Sequence, residues 1–138
     1  MKKRPLKRVC CAYIENAKGE ILLTQRLQGA HLAQLWEFPG GKIEAGENET
    51  QALQRELKEE LDIEAEIQDE LGRVQHAYEA FDVELILFRV TKFKGTPKAK
   101  QVADLMWVTS DWFAANFDRM PPADVPLLRL SQVHLRRS

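Results

Sequence analysis

A chain of 138 residues is the length of one ordinary domain, read here as a single domain over 1–138, and it can bury a core of real size. Its 20 Lys and Arg residues nearly cancel 21 Asp and Glu residues, so the total charge implies no polyanion-binding surface and no stable nucleic-acid partner. No apolar run approaches a bilayer crossing, and the basic start (Lys2, Lys3, Arg4, Lys7, Arg8) is not followed by a secretory apolar stretch, so a cytoplasmic protein without a membrane partner is expected.

In chain order, Arg8 to Ile14 and Glu20 to Arg26 are β-rich runs joined by Asn16-Ala17-Lys18-Gly19, a hairpin connection. The adjacent Cys10 and Cys11 point to opposite faces of such a strand, which reads as one core and one surface residue rather than a metal or redox pair. Leu35 to Phe38 is a short strand, stopped by Pro39-Gly40-Gly41. Asn48, with Gln51 three residues on, caps a helix from about Glu49 to Leu61. Ile63 to Tyr78 and Asp82 to Phe93 are strand regions, the second alternating Val83, Leu85 and Leu87 against Glu84 and Ile86, and Lys94-Gly95-Thr96-Pro97 is a turn. Leu105 to Val108 is a further strand, Ser110 caps a short helix, and a terminal helix opens at Asp124 or Pro126 and runs to about Leu135. Interleaved helices and strands imply an α/β fold, a mixed sheet covered by helices.

The spacing of acids carries the chemistry. Gly41 is followed after five residues by Glu47, and after seven more by Arg55-Glu56-Leu57-Lys58-Glu59-Glu60. On the expected helix Glu56, Glu59 and Glu60 fall within about 100° of one another, beside a stripe of Leu53, Leu57 and Leu61. Like charges at these spacings cost a few tenths of a kcal/mol each, and beside apolar residues water screens them less, so a cation belongs there. The plainer alternative is a solvated acidic face countered by Arg55 and Lys58.

Carboxylate oxygens are hard ligands suited to Mg²⁺ or Mn²⁺, and the scattered His31, His76 and His134 offer no zinc set. A dication among phosphate oxygens neutralises charge and lowers the pKa of bound water, so the expected reaction is hydrolysis of a phosphoanhydride. The glycines of Phe38-Pro39-Gly40-Gly41-Lys42 let backbone approach a charged ligand closely, and they also make a tight turn that seats the helix.

The segment resembles the signature of the Nudix hydrolases, matching every defining position except Asp62, where the family has glycine. The likeness extends over nearly the whole chain and is closest to the MutT-like branch, through Arg26, Ala30-His31-Leu32-Ala33, Trp36 to Lys42, and Met120-Pro121-Pro122-Ala123-Asp124. The resemblance implies an α/β/α sandwich, and a monomer or homodimer is expected. It also implies Mg²⁺-dependent cleavage of a small-molecule nucleoside triphosphate to the monophosphate and pyrophosphate, with an oxidised purine such as 8-oxo-dGTP preferred.

By the same resemblance the carbonyl of Gly40 and the carboxylates of Glu56, Glu59 and Glu60 hold metal. Glu47 and Lys42 lie behind them or near phosphate, and Arg55 orients the acids. Glu56 is the expected base, left ionised by its neighbour Arg55, within a catalytic group of Glu47, Arg55, Glu56 and Glu59. Arg26, Phe38, Tyr78, Phe81 and Asp124 are placed near the base, although the three aromatic residues are equally suited to a core. An ionised Asp124 only accepts hydrogen bonds; it suits the N–H donors of guanine and also the amine of cytosine, or it simply caps the terminal helix. A cytidine triphosphate is therefore the alternative substrate, followed by ADP-ribose, a dinucleoside polyphosphate or the 5′ end of RNA; a non-catalytic nucleotide sensor is a third class. Two positions depart from the MutT pattern: Gln101 replaces a glutamate near the metals, and Asp62 takes a position that often demands positive φ, at a cost of about 1 kcal/mol relative to glycine.

Overall fold

Residues 4–137 are described by a computed structural model. Strand β1 (Leu6–Ile14) is the axis of the molecule, because both of its faces turn apolar from Cys10 onward and each is covered by a different core. It pairs in parallel with β7 (Asp82–Val90) and antiparallel with β4 (Gly40–Lys42), while β6 (Glu70–Ala77) completes the mixed four-stranded sheet beside β7. A second sheet of β3 (Trp36–Glu37), β2 (Ile21–Gln25) and β9 (Asp104–Val108) is antiparallel, as is the small pair of β5 (Glu64–Glu66) and β8 (Lys92–Lys94).

On one side of the main sheet, α1 (Glu49–Leu61) buries Ala52, Leu53, Leu57 and Leu61 against Cys10, Ala12, Ile14, Ile86 and Phe88. On the other, α2 (Ser110–Ala115) and α3 (Asp124–Arg137) place Phe113, Leu127 and Leu128 over Cys11, Leu85 and Leu87. The result is an α/β architecture with helices on both faces. Helix α1 starts on the expected capping box: the Asn48 Oδ1 accepts the Gln51 N–H at 2.8 Å, and the Gln51 Oε1 accepts the Asn48 N–H at 3.0 Å. It ends on Asp62 in the left-handed region, φ 59° and ψ 41°. The carboxylate there also meets Lys58 at 3.3 Å and Lys98 at 3.9 Å, contacts that a glycine would lose.

Several local expectations are corrected. Both cysteines are buried, at 0% and 3% exposure, because the sheet is covered on both sides and a strand inside it has no surface face. The same burial makes Ile86 and Leu87 equally hidden on β7, so its alternation distinguishes two cores rather than core and solvent. Pro39-Gly40-Gly41 does not end pairing; the chain leaves the second sheet after Glu37 and enters the first, where Gly40 and Gly41 pair with Cys11 and Cys10. The strand regions expected over Ile63 to Tyr78 and Asp82 to Phe93 are each broken where the chain passes to the small sheet, and the Gln68 Oε1 accepts both the N–H and the hydroxyl of Thr91 at 2.9 and 3.0 Å. The residue preceding α2 is Thr109, without a side-chain cap, rather than Ser110. No helix among the described residues is long and apolar enough to cross a membrane.

Candidate active site

Strand β4 and helix α1 meet along a glycine seam. A Cβ on Gly41 would run into the Glu56 carboxyl, and one on Gly40, whose φ is +153°, would run into the Cys10 carbonyl. The seam lets the helix settle against the sheet with its acidic edge directly on backbone. Above it, Arg55 gathers the neighbouring groups. Its Nε donates to Glu47 Oε2 at 2.7 Å and its Nη2 to Glu47 Oε1 at 3.0 Å and the Lys42 carbonyl at 3.1 Å. Its Nη1 donates to Glu56 Oε1 at 3.0 Å and Glu59 Oε2 at 3.1 Å. Every guanidinium N–H is thereby used, and the planar fork fixes the register of loop, strand and helix. The same bonds hold the Glu47 carboxyl below its ordinary range.

Glu56 and Glu60 behave in the opposite way. Burial, then the neighbouring Glu56 and Glu37, push the Glu60 carboxyl up to about 8, although the Gly40 N–H donates to it. Burial also raises Glu56, and outweighs the bonds from Arg55. Burial and the Arg55 guanidinium thus act on Glu56 in opposite directions, with the charge of Glu59 adding to the first.

Such a cluster fits a hard divalent cation. The donors are carboxylate oxygens set against the Gly40 and Gly41 backbone, and burial, with the charge of neighbouring acids behind it, raises both Glu56 and Glu60. Among the described residues no three acids already converge at metal-ligand spacing. Arg55 holds Glu59 and one oxygen of Glu56 on its own side, while the Glu60 carboxyl shares a side-chain hydrogen bond with Glu56.

A cavity of about 290 Å³ opens from this cluster across the sheet, lined at one end by Gly40, Gly41 and Glu60 and reaching Asp124, Tyr78 and Phe81. Asp124 lies in the first turn of α3, and its Oδ2 accepts the Phe38 N–H at 3.2 Å. Burial first, and then Glu37, raise the Asp124 carboxyl well above its ordinary value. Glu37 is raised by burial too, against the pull of Arg26, whose Nη1 donates to Glu37 Oε2 at 2.6 Å. The Arg26 Nε is buried and has no partner among the described residues, an unpaired donor beside the cavity. Tyr78 positions this end by accepting the Ala123 N–H on its hydroxyl at 3.3 Å. Its ring forms a cluster with Phe81 and His31, with centroids 5.4 and 4.9 Å away.

The structure thus brings Gly40, Lys42, Glu60, Arg26, Phe38, Tyr78, Phe81 and Asp124 to one cavity. Glu56 lies against its glycine edge, while Glu47 and Glu59 face Arg55. The Phe38 ring is not exposed to that cavity as a platform; it is core, between Tyr13 and Phe113 at 6.0 and 6.2 Å. Gln101 is exposed, and only its backbone N–H reaches Glu60, at the carbonyl, at 3.3 Å. Glu37, His31 and Lys7 line the cavity without having been singled out as site residues. An acid between Trp36 and Phe38 was a usable signal for Glu37, and His31 stood in the Ala30 to Ala33 run of the resemblance; Lys7 carried none.

Comparison with known proteins gives a consistent picture. The NUDIX domain family matches residues 10–130. The chain is 37% identical over 128 residues to the 8-oxo-dGTP diphosphatase of Haemophilus influenzae, covering 91% of this chain and 93% of that protein. It is 40% identical over 120 residues to the CTP pyrophosphohydrolase of Escherichia coli, covering 87% of each. The solution structure of the E. coli ORF135 protein superposes with a TM-score of 0.82 at 37% identity, over 96% of this chain and 92% of that one.

Proposed function

The chain belongs to the NUDIX domain family and is a hydrolase of phosphoanhydrides, and from that premise we propose that it cleaves a nucleoside triphosphate to the monophosphate and pyrophosphate, with an oxidised purine such as 8-oxo-dGTP as preferred substrate. One observation carries this reading: a single cavity joins the acidic cluster at Glu60 and Gly40 to the buried, hydrogen-bonding carboxyl of Asp124. A ligand with phosphates at one end and a base at the other would meet both.

Nudix hydrolases need a divalent metal, and we assign Mg²⁺, with Mn²⁺ as a substitute, to the carboxylates of Glu56, Glu59 and Glu60 and the carbonyl of Gly40. Bound there, such an ion would neutralise phosphate charge and lower the pKa of a water. Glu56, held in place by Arg55 and Glu47, would take the proton from the attacking water, and the Lys42 ammonium would meet phosphate. Asp124 accepts hydrogen bonds from the base, Arg26 donates from its unpaired Nε, and the rings of Tyr78 and Phe81 shield the site from water. The partner is a small nucleotide, with no membrane or stable nucleic acid required.

A cytidine substrate is the second reading, supported by the 40% identity to the CTP pyrophosphohydrolase and by a carboxyl at Asp124 that equally suits the cytosine amine. Purified protein with Mg²⁺ and a panel of 8-oxo-dGTP, dGTP, CTP and ADP-ribose separates these. Preferred cleavage of 8-oxo-dGTP at low concentration is expected; survival of all three triphosphates while ADP-ribose is cleaved overturns the proposal. In ¹⁸O water, label is expected in the pyrophosphate, as for attack at the β-phosphorus.

A further inference from the structure

Alternate residues of a strand share a face, and β1 uses this to lay Lys7, Val9 and Cys11 along the floor of the cavity. Their register with β7 sets Lys7 opposite Val83 and Val9 opposite Leu85, both of which also line it. The floor is therefore an apolar ribbon with a cation at one end. Gly40 pairs with Cys11, which places the acidic cluster at the other end, and four strand residues span about 13 Å.

The Lys7 ammonium lies 4.0 Å from the centroid of the Phe81 ring and makes no ion pair among the described residues. Its neighbour Arg8, on the opposite face, is tied to Glu49 at 2.6 Å and Glu84 at 3.0 Å. An unpaired cation over an aromatic ring is held in place by the ring quadrupole while its N–H donors stay free. At the mouth of a cavity whose inner end offers the Asp124 carboxyl, those donors await an acceptor on the ligand.

We propose that Lys7 is a specificity-determining residue, whose ammonium donates a hydrogen bond to the carbonyl oxygen that an oxidised purine carries on the edge remote from Asp124. This rests on the nucleotide reading of the site. With the Watson–Crick edge of the base against Asp124 and one face on the floor of Val9 and Val83, the imidazole edge of a purine is directed along β1 toward Lys7. An unmodified guanine has no carbonyl there and offers only the N7 lone pair beside it, and a cytosine is one ring shorter. Discrimination thus comes from one charged donor that meets a carbonyl oxygen at this place only in the oxidised base.

The experiment compares Lys7→Met and Lys7→Arg with the parent protein in steady-state kinetics on 8-oxo-dGTP, dGTP and CTP with Mg²⁺. Lys7 is exposed, so the variants fold, as circular dichroism melting will verify. Lys7→Met is expected to raise KM for 8-oxo-dGTP by about tenfold or more, the loss of one hydrogen bond from a charged group, leaving kcat and both other KM values within about twofold. Lys7→Arg should recover most of the loss. An equal KM rise on all three nucleotides overturns the proposal, because the ammonium then meets phosphate. Unchanged KM on all three overturns it as well. A parent that cleaves none of the three overturns the nucleotide reading itself, so the two failures are distinct.

Discussion

Arg55 and Glu47 form a two-pronged ion pair, 2.7 Å from Nε and 3.0 Å from Nη2, and this pair joins the loop after β4 to the middle of α1. Its remaining N–H groups reach Glu56, Glu59 and the Lys42 carbonyl. A lysine there keeps charge but cannot span these partners. Arg55→Lys is expected to destabilise by about 1–2 kcal/mol, read from chemical denaturation, since several charge-assisted bonds are lost. Turnover should fall by about tenfold or more because the acids are released from their positions.

Glu56→Gln tests the assigned base. The amide keeps size and the contact with the Gly41 seam but cannot take a proton, so turnover should fall by about 10²–10⁴ with the fold intact by circular dichroism. Turnover near that of the parent removes Glu56 from the mechanism.

Glu60 predicts a pH dependence of stability without added divalent cation. Its carboxyl moves from the usual 4.5 to about 8 on folding, so the folded chain retains a proton that the unfolded chain releases. The stability this group contributes is full below about pH 4.5 and is lost as pH rises to about 8. Glu60→Gln removes that loss, so the melting temperature of the variant should gain on the parent between pH 5 and about 8.5. Saturating Mg²⁺ should stabilise the parent selectively at the upper end, since only the ionised carboxylate binds it. A difference between variant and parent that does not change with pH contradicts the raised carboxyl.

Asp124 separates a structural from a recognition role. Asp124→Ala leaves the Phe38 N–H buried without its acceptor, a cost of about 1–3 kcal/mol in urea unfolding. Asp124→Asn restores an acceptor and removes a raised acid from beside Glu37, so it should match or exceed the parent in stability. In kinetics the same Asn variant should change the ratio of 8-oxo-dGTP to CTP cleavage, because an amide offers a donor as well as an acceptor to the base. An unchanged ratio assigns Asp124 to structure alone.

Local features were legible without the fold. The α1 boundaries, the Asn48 capping box and the left-handed Asp62 follow from residues within a few positions of one another, since backbone hydrogen bonds and caps are short-range. The burial of Cys10, by contrast, depends on α1 covering that face of the sheet, and the passage of Pro39-Gly40-Gly41 into a new strand depends on β1 being there to receive it. Neither neighbour is visible in the alternation of a single strand.

The sequence alone determined the reaction type, because the acids that define it share one helix, and a 3.6-residue repeat places them on one edge whatever surrounds that helix. Only the tertiary structure decided what those acids face. It set Phe38 against Asp124, 86 residues away, gathered Glu37 and Arg26 beside them, and turned Lys7 into the cavity, through the pairing of β1 with β7 and the packing of α3 over the sheet. Charge spacing is a local property of a helix, whereas desolvation and the company of a carboxyl depend on every element that closes around it.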